Sequence, residues 1–385
     1  MASDFDYAYQ DLAGFIVPVT VIYILLFLSG IIGNVFICFV IVKTPYMHTS
    51  TNCYLFSLAV ADILMLLFGV PMELYSFWMR ECNFEFPSFV CTGRALLAEM
   101  TTCASVMTIT AFTVERYLAI CHPFRTERLV TVSRSRTLVI LIWLFALFLA
   151  APFAHYAKVN HVYYPLDDSL QRIPGTGWCS FDHERQRQVF ALFLCHAIAF
   201  FFLPMGLLTV LYGLIALTLR SPTKRYQLSG MHARSGTSES SNSESLSGAS
   251  RTQSRKSTIL MLVAVCLVFF LSWSPFHAQR LLWSTVDRWD QQVTTANAAL
   301  YMVAGCAYYG NGIINVIIYN VMSFRFRQAF RETVCHRKRR SVSLDEPEHG
   351  GAHNAGTVPS TPRHPRSHAT NHTTIQPFTV YTVNP

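Results

Sequence analysis

The chain has 385 residues, of which 52% are hydrophobic and only 14% are charged, and its net charge is +8 at pH 7. This composition, with a mean hydropathy of +0.32, is implausible for a soluble domain and typical of a polytopic membrane protein. A basic inner membrane face explains the positive charge better than nucleic-acid binding does. We therefore expect membrane lipid, and no nucleic acid, among its partners.

Seven apolar segments, taken in chain order, predict an all-α membrane protein that folds as a seven-transmembrane helix bundle. Each segment meets or approaches the ~20 residues that a helix needs to cross hydrocarbon. The predicted spans are Phe15–Val42, Cys53–Trp78, Phe89–Ile120, Thr137–Phe153, Val189–Leu219, Ser257–Trp283 and Ala296–Asn320.

The positions of Lys and Arg orient these spans. Basic residues concentrate in alternate connections and in the cluster from Arg325 to Arg340 after the last span. The positive-inside rule makes those segments cytoplasmic and places the N-terminus outside. We expect a multi-pass plasma-membrane protein with residues 1–14 as an extracellular tail.

Residues 15–334 form the predicted transmembrane domain. It includes a third inner loop, near 221–254, that has too few apolar residues to build a core, and the same holds for the cytoplasmic tail 335–385. Both are predicted to be disordered. Phe326, Phe330 and Val334 recur at every fourth residue, which predicts a short amphipathic helix on the inner leaflet after the last span. Cys335 beyond it is either acylated or a free thiol.

Short motifs follow one another in order along these spans. They are Gly33-Asn34, Leu58-Ala-Val-Ala-Asp62, Cys91 with Glu115-Arg116-Tyr117, Trp143, Pro204 with Tyr212, Phe269 with Trp273-Ser-Pro275, and Asn315 to Tyr319. On this ordered set the chain resembles the rhodopsin-like (class A) G-protein-coupled receptors over nearly all of Phe15 to Val334. One departure is Val316, which stands where the family usually has a helix-kinking proline.

Longer strings are similar to a narrower group, the neuromedin U and insect pyrokinin/capa peptide receptors. They include Thr51-Asn52-Cys-Tyr-Leu-Phe-Ser-Leu-Ala-Val, Gly69-Val-Pro-Met-Glu73-Leu-Tyr, Glu99-Met and Ser274-Pro-Phe-His277-Ala-Gln-Arg280. The resemblance implies a receptor for an extracellular peptide that ends in an amidated Pro-Arg-X sequence. It also implies signalling through a heterotrimeric G protein of the Gq class.

Other functions fit the sequence less well. A receptor for a different neuropeptide class is the main alternative, and a seven-helix transporter is the least expected, because no internal repeat is found. A light sensor needs a lysine in the last span for its retinal, and Ala296–Asn320 has none. An enzyme is not expected, because no His/Cys/Asp cluster has metal-ligand spacing and no phosphate loop is present.

Cys91 and Cys179 both lie on the outer, oxidising side, which permits a disulfide. The resemblance implies that these two cysteines pair. Cys82 is a third outer cysteine and leaves other pairings open.

Two carboxylates near the outer ends of the second and third spans form the predicted ligand site. Glu73 lies near the outer mouth, and Glu99 lies roughly 12 Å into the membrane. Acids at this depth repel each other and are poorly solvated unless a cation joins them. We expect the guanidinium of the peptide to do so. The alternative is that both acids pair with receptor groups such as Arg280, His277 or Tyr309.

Phe276, His277 and Arg280 follow Trp273 at three, four and seven residues, so they share its inward face. They form a second set of predicted ligand contacts, together with Tyr309. A packed aromatic cluster is the competing interpretation, above all for Phe276.

The resemblance also implies that Ser105, Asn311 and Asn315 converge on Asp62 deeper in the bundle. Their oxygen atoms suit an allosteric sodium ion, and the alternative is a water-filled polar network without metal. No other cofactor is expected.

The resemblance further implies an activation switch. Its residues are Glu115, Arg116, Tyr212, Phe269, Trp273, Pro275, Asn315 and Tyr319. Glu115 neutralises Arg116 at rest. When the sixth span swings outward, Tyr212 and Tyr319 meet Arg116 and a G-protein helix enters the inner cavity.

Arg116, Pro123 and Phe124 are the predicted G-protein contacts. Many relatives lock the arginine to an acid at the base of the sixth span, where this chain has Arg255, so some basal activity is expected. Cytoplasmic serines such as Ser238, Ser241, Ser243, Ser341 and Ser343 are either targets of receptor kinases that recruit arrestin or parts of a solvated linker.

Overall fold

The computed structural model describes residues 2–78, 87–123, 130–161, 163–166, 169–172, 177–220, 264, 267–286, 290–322 and 324–334. Long helices dominate these residues. They are α1 (Ala2–Lys43), α2 (Ser50–Trp78), α3 (Ser88–Cys121), α4 (Val132–Tyr156), α5 (Gln186–Ala197, the π-helical turn Ile198–Phe202 and Leu203–Arg220), α6 (267–285), α7 (Gln291–Met322) and α8 (Phe324–Val334).

Six of the described helices, α1 to α5 and α7, are long and apolar enough to cross a membrane. A helix satisfies its own backbone hydrogen bonds, which hydrocarbon requires of any spanning segment. α6 carries the outer part of the sixth predicted span, so the described helices are consistent with a seven-helix bundle. Residues 2–14, predicted as an outer tail, continue helix α1, and their location outside the membrane stays a prediction.

The bundle is organised around α3, which contacts α2, α4 and α5, while α1 packs against α2 and α7. Leu66, Leu208 and Phe269 belong to a buried core shared by the helices. Large apolar side chains also face outward, among them Leu25 and Phe148. Lipid tails are as apolar as leucine, so such an outer surface suits a bilayer.

Four short strands lie between α4 and α5. β1 (Ala157–Asn160) pairs antiparallel with β4 (Trp178–Phe181), and β2 (Tyr163–Leu166) pairs with β3 (Ser169–Arg172). The β4 residue Cys179 is bonded to Cys91 near the start of α3, with the two Cα atoms 5.5 Å apart. The predicted disulfide is confirmed, and it ties the strands to the bundle.

An ion pair supports the same outer region. Lys158 Nζ lies 2.7 Å from Asp182 Oδ1. Burial raises the pKa of Asp182, but hydrogen bonds from Lys158 and from the backbone N–H of Glu184 outweigh it and leave that pKa below its usual value. The carboxylate therefore stays charged at neutral pH and holds β1 to the segment after β4.

Helix α8 packs its apolar face against the inner end of α1. Phe326 and Ala329 are buried in a cluster with Ile37 and Val40. Tyr46 Oη, in the turn after α1, donates to Glu332 Oε2 at 2.8 Å. The contact of α8 with the inner leaflet stays a prediction.

Several predicted features lie outside the described residues. They are Cys82, Phe124, Arg255, Cys335, the inner loop 221–254 with its serines, the tail 335–385 with its serines, and the side chains of Tyr319 and Val334.

Candidate functional site

A cavity of about 440 Å³ lies towards the end of the bundle that the sequence predicts to face outside, with walls from several helices and residues of β4. Five of the six predicted ligand contacts line it. They are Glu73, Glu99, Phe276, Arg280 and Tyr309. His277 is absent from the lining, because its ring is buried against Phe201 and Trp273.

Glu73 accepts hydrogen bonds from two other helices. Arg94 Nη2, on α3, donates to Glu73 Oε1. Tyr301 Oη, on α7, donates to Glu73 Oε2 at 2.6 Å. All three residues line the cavity, so this cluster links α2, α3 and α7 at its wall.

Glu99 forms a second, more deeply buried cluster. Arg280 Nη2, on α6, donates to Glu99 Oε1, and His196 Nε2, on α5, lies 3.4 Å from Glu99 Oε2. The Arg280 guanidinium carbon lies 4.1 Å from the centre of the Phe276 ring and 5.0 Å from that of Phe193. Such cation–π contacts add to the ion pair and hold Arg280 in place.

Each predicted acid therefore has a receptor arginine as its partner. For Glu99 the partner is Arg280, which the alternative interpretation of the sequence named. For Glu73 it is Arg94, which the sequence did not indicate as a partner. Both acids are therefore already paired with a cation. An incoming guanidinium must either displace the receptor arginine from its acid or share the acid with that arginine.

Stacked aromatic rings continue from this cavity into the core. The Phe276 ring stacks on Tyr308 with centroids 4.9 Å apart. The centroid of the Trp273 ring lies 5.6 Å from that of Tyr308 and 5.9 Å from that of Phe269. Close-packed rings transmit displacement from one ring to the next. Pro275, on α6 like Phe269, Trp273 and Phe276, has no backbone N–H to bond with the preceding turn, so α6 can bend there.

The four residues of the predicted sodium site are all buried. Asp62, Ser105, Asn311 and Asn315 are at most 8% exposed, and Asn315 Nδ2 donates to Asp62 Oδ2 at 3.2 Å. A Cβ atom placed on Gly312 would lie 3.3 Å from Asp62 Cβ. α2 and α7 therefore approach closely here, and glycine permits the approach.

At the inner end, Arg116 binds two partners. Its Nη2 donates to Glu115 Oε1 at 2.9 Å and to Thr51 Oγ1 at 2.6 Å. Glu115 Oε2 also accepts from Ser50 Oγ at 2.7 Å, and Ser135 Oγ lies 3.5 Å away. The structure thus brings the predicted acid and arginine together, and their role at rest stays a prediction.

Tyr212 and Pro123 are two further inner residues that the sequence singled out and that the structure describes. Tyr212 Oη lies 2.8 Å from Thr113 Oγ1. Pro123 comes directly after the cap of α3 at His122. Their movement towards a G protein stays a prediction.

Comparison with known proteins places this arrangement in a family. The family model "7 transmembrane receptor (rhodopsin family)" matches residues 33–319. The chain is 35% identical to the pyrokinin-1 receptor of Drosophila melanogaster, and the match covers 87% of this chain and 84% of the relative.

The chain belongs to the rhodopsin family of seven-transmembrane receptors. It is also 36% identical to neuromedin-U receptor 1 of Rattus norvegicus over 329 residues, with 83% of this chain and 75% of the relative covered. A neuromedin U receptor homologue of Caenorhabditis elegans is 33% identical over 84% of this chain and 80% of its own length. The predictions of a multi-pass membrane receptor and of a protein that is not an enzyme are confirmed.

The receptor uses its unusual Val316 for packing. α7 is helical through this position from Gln291 to Met322. A Cβ atom on Gly33 of α1 would lie 2.8 Å from Val316 Cγ1, so the valine fills the space that the glycine leaves. Asn34 Nδ2 donates to the Gly312 carbonyl at 3.1 Å. Side-chain packing and this hydrogen bond therefore join α1 to α7 near Val316.

Sequence reasoning missed four residues of the receptor's polar clusters: Arg94, Tyr301, His196 and Thr51. Arg94 had a signal, because a charged side chain inside an apolar span is functional by default. The other three are ordinary in their helices, and only the packing of the bundle gives them partners.

Proposed function

We propose that the chain is a plasma-membrane receptor for an extracellular amidated peptide ending in Pro-Arg-X, with its N-terminus outside. The observation that carries the proposal is the pair of buried acids, Glu73 and Glu99, on the wall of one outer cavity. The names of the relatives support the same ligand class, because they are pyrokinin and neuromedin U receptors.

The peptide arginine is the group that this cavity suits best. A guanidinium offers a planar fork of donors that a carboxylate accepts in pairs. Aromatic side chains also line the cavity, among them Phe276, Tyr308 and Tyr309. Such rings suit the proline and the apolar parts of a short peptide.

Binding drives signalling through a shift between two helix arrangements. Peptide contact displaces Phe276 and the ring of Trp273 beneath it, α6 moves, and Arg116 leaves Glu115 and Thr51 to meet a Gq-class protein. Receptor kinases and arrestin then act on the cytoplasmic serines. The Glu115–Arg116 pair is the output end of this path.

The test is a calcium assay on cells that express the receptor. Peptides ending in Pro-Arg-Leu-amide and Pro-Arg-Asn-amide should activate the parent, and their analogues with citrulline in place of arginine should be weaker. Glu73→Gln and Glu99→Gln should each reduce potency for the arginine peptides by about tenfold or more, which corresponds to ~1.4 kcal/mol. Unchanged potency in both variants would remove the arginine site from the proposal.

Two controls separate ligand contact from damage to the fold. Glu184→Gln changes an acid on the same outer side whose side chain is 88% exposed, and it should leave potency unchanged. The citrulline peptides should lose little further potency in Glu73→Gln and Glu99→Gln, because they carry no charge for the acid to bind. An equal loss for arginine and citrulline peptides would indicate a structural effect instead.

We also propose that Asp62, Ser105, Asn311 and Asn315 hold a sodium ion. The set fits the ion, because it combines a buried carboxylate with hydroxyl and amide oxygens, the hard ligands that such cations prefer. The ion would supply a positive charge that neutralises Asp62 in the resting arrangement. Replacing sodium by N-methylglucamine should raise agonist affinity in the parent and not in Asp62→Asn; equal affinities in both salts would contradict the site.

A further inference from the structure

Arg94 holds a position that the proposed function leaves unexplained. It donates to one oxygen of Glu73, while Tyr301 donates to the other at 2.6 Å. Both oxygens of the acid are thus occupied in the structure. A carboxylate can accept further hydrogen bonds, but a second guanidinium beside Arg94 would place two like charges at one acid. We therefore expect the peptide guanidinium to replace Arg94, which has the same charge and shape.

The two receptor arginines differ in how easily they can leave their acids. The Arg94 side chain is 22% exposed and the Arg280 side chain is 14% exposed. The acids differ in the same sense, with Glu73 8% and Glu99 1% exposed. Arg280 is also held over the Phe276 and Phe193 rings. Exchange is therefore easier at Glu73, where the departing cation already reaches solvent.

We infer that Arg94 is a resident counter-ion that the peptide arginine displaces from Glu73, and that this competition lowers the affinity of the receptor for the peptide. The inference rests on the proposed function and deepens it. Removing one partner of a buried pair leaves an uncompensated charge, and the resident arginine avoids that state before the peptide arrives. Glu73 keeps a cation and its Tyr301 hydrogen bond before and after binding.

The competition affects every cationic ligand. The free energy needed to move Arg94 off Glu73 is the same whichever cation takes its place, so it lowers the affinity for an arginine peptide and for a lysine peptide by the same factor. An uncharged residue does not displace Arg94 and is not affected. Without Arg94 the acid has no resident cation, and either charge gains affinity.

The exchange also has a structural consequence. The Arg94–Glu73 pair joins α3 to α2, and the Tyr301–Glu73 hydrogen bond joins α7 to α2. Displacement of Arg94 breaks the first link and leaves the second. Peptide binding thereby frees the outer end of α3 from α2, while the disulfide at Cys91 still ties α3 to β4.

Competition binding on membranes tests the inference with three peptides that differ at one residue: Pro-Arg-Leu-amide, Pro-Lys-Leu-amide and Pro-citrulline-Leu-amide. Arg94→Gln should raise affinity for the arginine peptide about two- to fivefold, the range for breaking one solvent-accessible ion pair. The gain for the lysine peptide should be the same, because both cations displace the same counter-ion. The citrulline peptide should not gain.

The outcomes separate this inference from the proposed function. A parent receptor that does not distinguish arginine from citrulline refutes the arginine site itself. A parent that does distinguish them, combined with an Arg94→Gln variant that loses affinity for the arginine peptide or shifts all three peptides equally, refutes the counter-ion role alone. Arg185→Gln, at an arginine 53% exposed on the outer side, is the matched control and should change none of the affinities.

Surface labelling of a tagged receptor checks that Arg94→Gln folds. If it does not reach the surface, Arg94→Lys decides, because it keeps a charge but not the fork. This variant should bind the arginine peptide more tightly than the parent by a smaller factor. Unchanged or weaker binding would overturn the inference.

Discussion

Replacing Gly33 by alanine tests the contact between α1 and α7 that accompanies Val316. The added Cβ would lie 2.8, 3.0 and 3.4 Å from Val316 Cγ1, Cγ2 and Cβ. Carbon atoms in ordinary contact are about 3.5–4.0 Å apart, so the substitution overfills the interface. Overpacking of this kind destabilises by ~1–3 kcal/mol.

A second effect of Gly33→Ala has the opposite sign. Alanine is a better helix former than glycine by about 1 kcal/mol, so the net destabilisation is ~0–2 kcal/mol. The coupling with Val316 is the sharper quantity. In a Val316→Ala background the two Cγ atoms are gone, and Gly33→Ala should then be neutral or stabilising. The interaction energy of this double-mutant cycle is expected to be ~1–3 kcal/mol.

The assay heats a fluorescent fusion of the receptor in detergent and measures the remaining monodisperse receptor by size-exclusion chromatography. The measured quantity is the temperature at which half of it is lost. Gly33→Ala should lower the midpoint in the parent and not in Val316→Ala. Gly213→Ala is the matched control, because a Cβ there meets nothing within 4 Å; it reports helix propensity alone. Equal midpoint changes from Gly33→Ala in both backgrounds would refute the packing argument.

The remaining predictions concern the two ends of the bundle. Cys179→Ser should remove the disulfide and reduce surface expression, because loss of a native disulfide costs ~2–5 kcal/mol of stability. Cys91→Ser should have the same effect, and the double variant should be expressed no less than either single variant. Flow cytometry on a tagged receptor measures the surface expression. Thr51→Val should raise basal inositol-phosphate production, because Arg116 loses a hydrogen-bond acceptor at 2.6 Å. Thr51→Ser keeps the acceptor and should resemble the parent, and equal basal signalling in both variants would contradict a restraining role.

The sequence located the wall of the candidate site but not its chemistry. Glu73 and Glu99 were identified from their depth in apolar spans, and both line the outer cavity. The sequence indicated Arg280 as an alternative partner for these acids, but it did not indicate Arg94. Helical spacing predicts which residues share a face of one helix, whereas an ion pair between helices depends on how two faces are rotated towards each other.

Apolar length alone determined that this chain crosses a membrane repeatedly, since hydrocarbon admits only segments whose backbone bonds are internal. The predicted outer, oxidising location of both cysteines and the resemblance to the receptor family together predicted the disulfide between Cys91 and Cys179. Only the tertiary structure decided that both outer acids already hold arginines and that Val316 fills the space over Gly33. These outcomes depend on side-chain contacts between helices far apart in the chain, and no local pattern of residues encodes such distances.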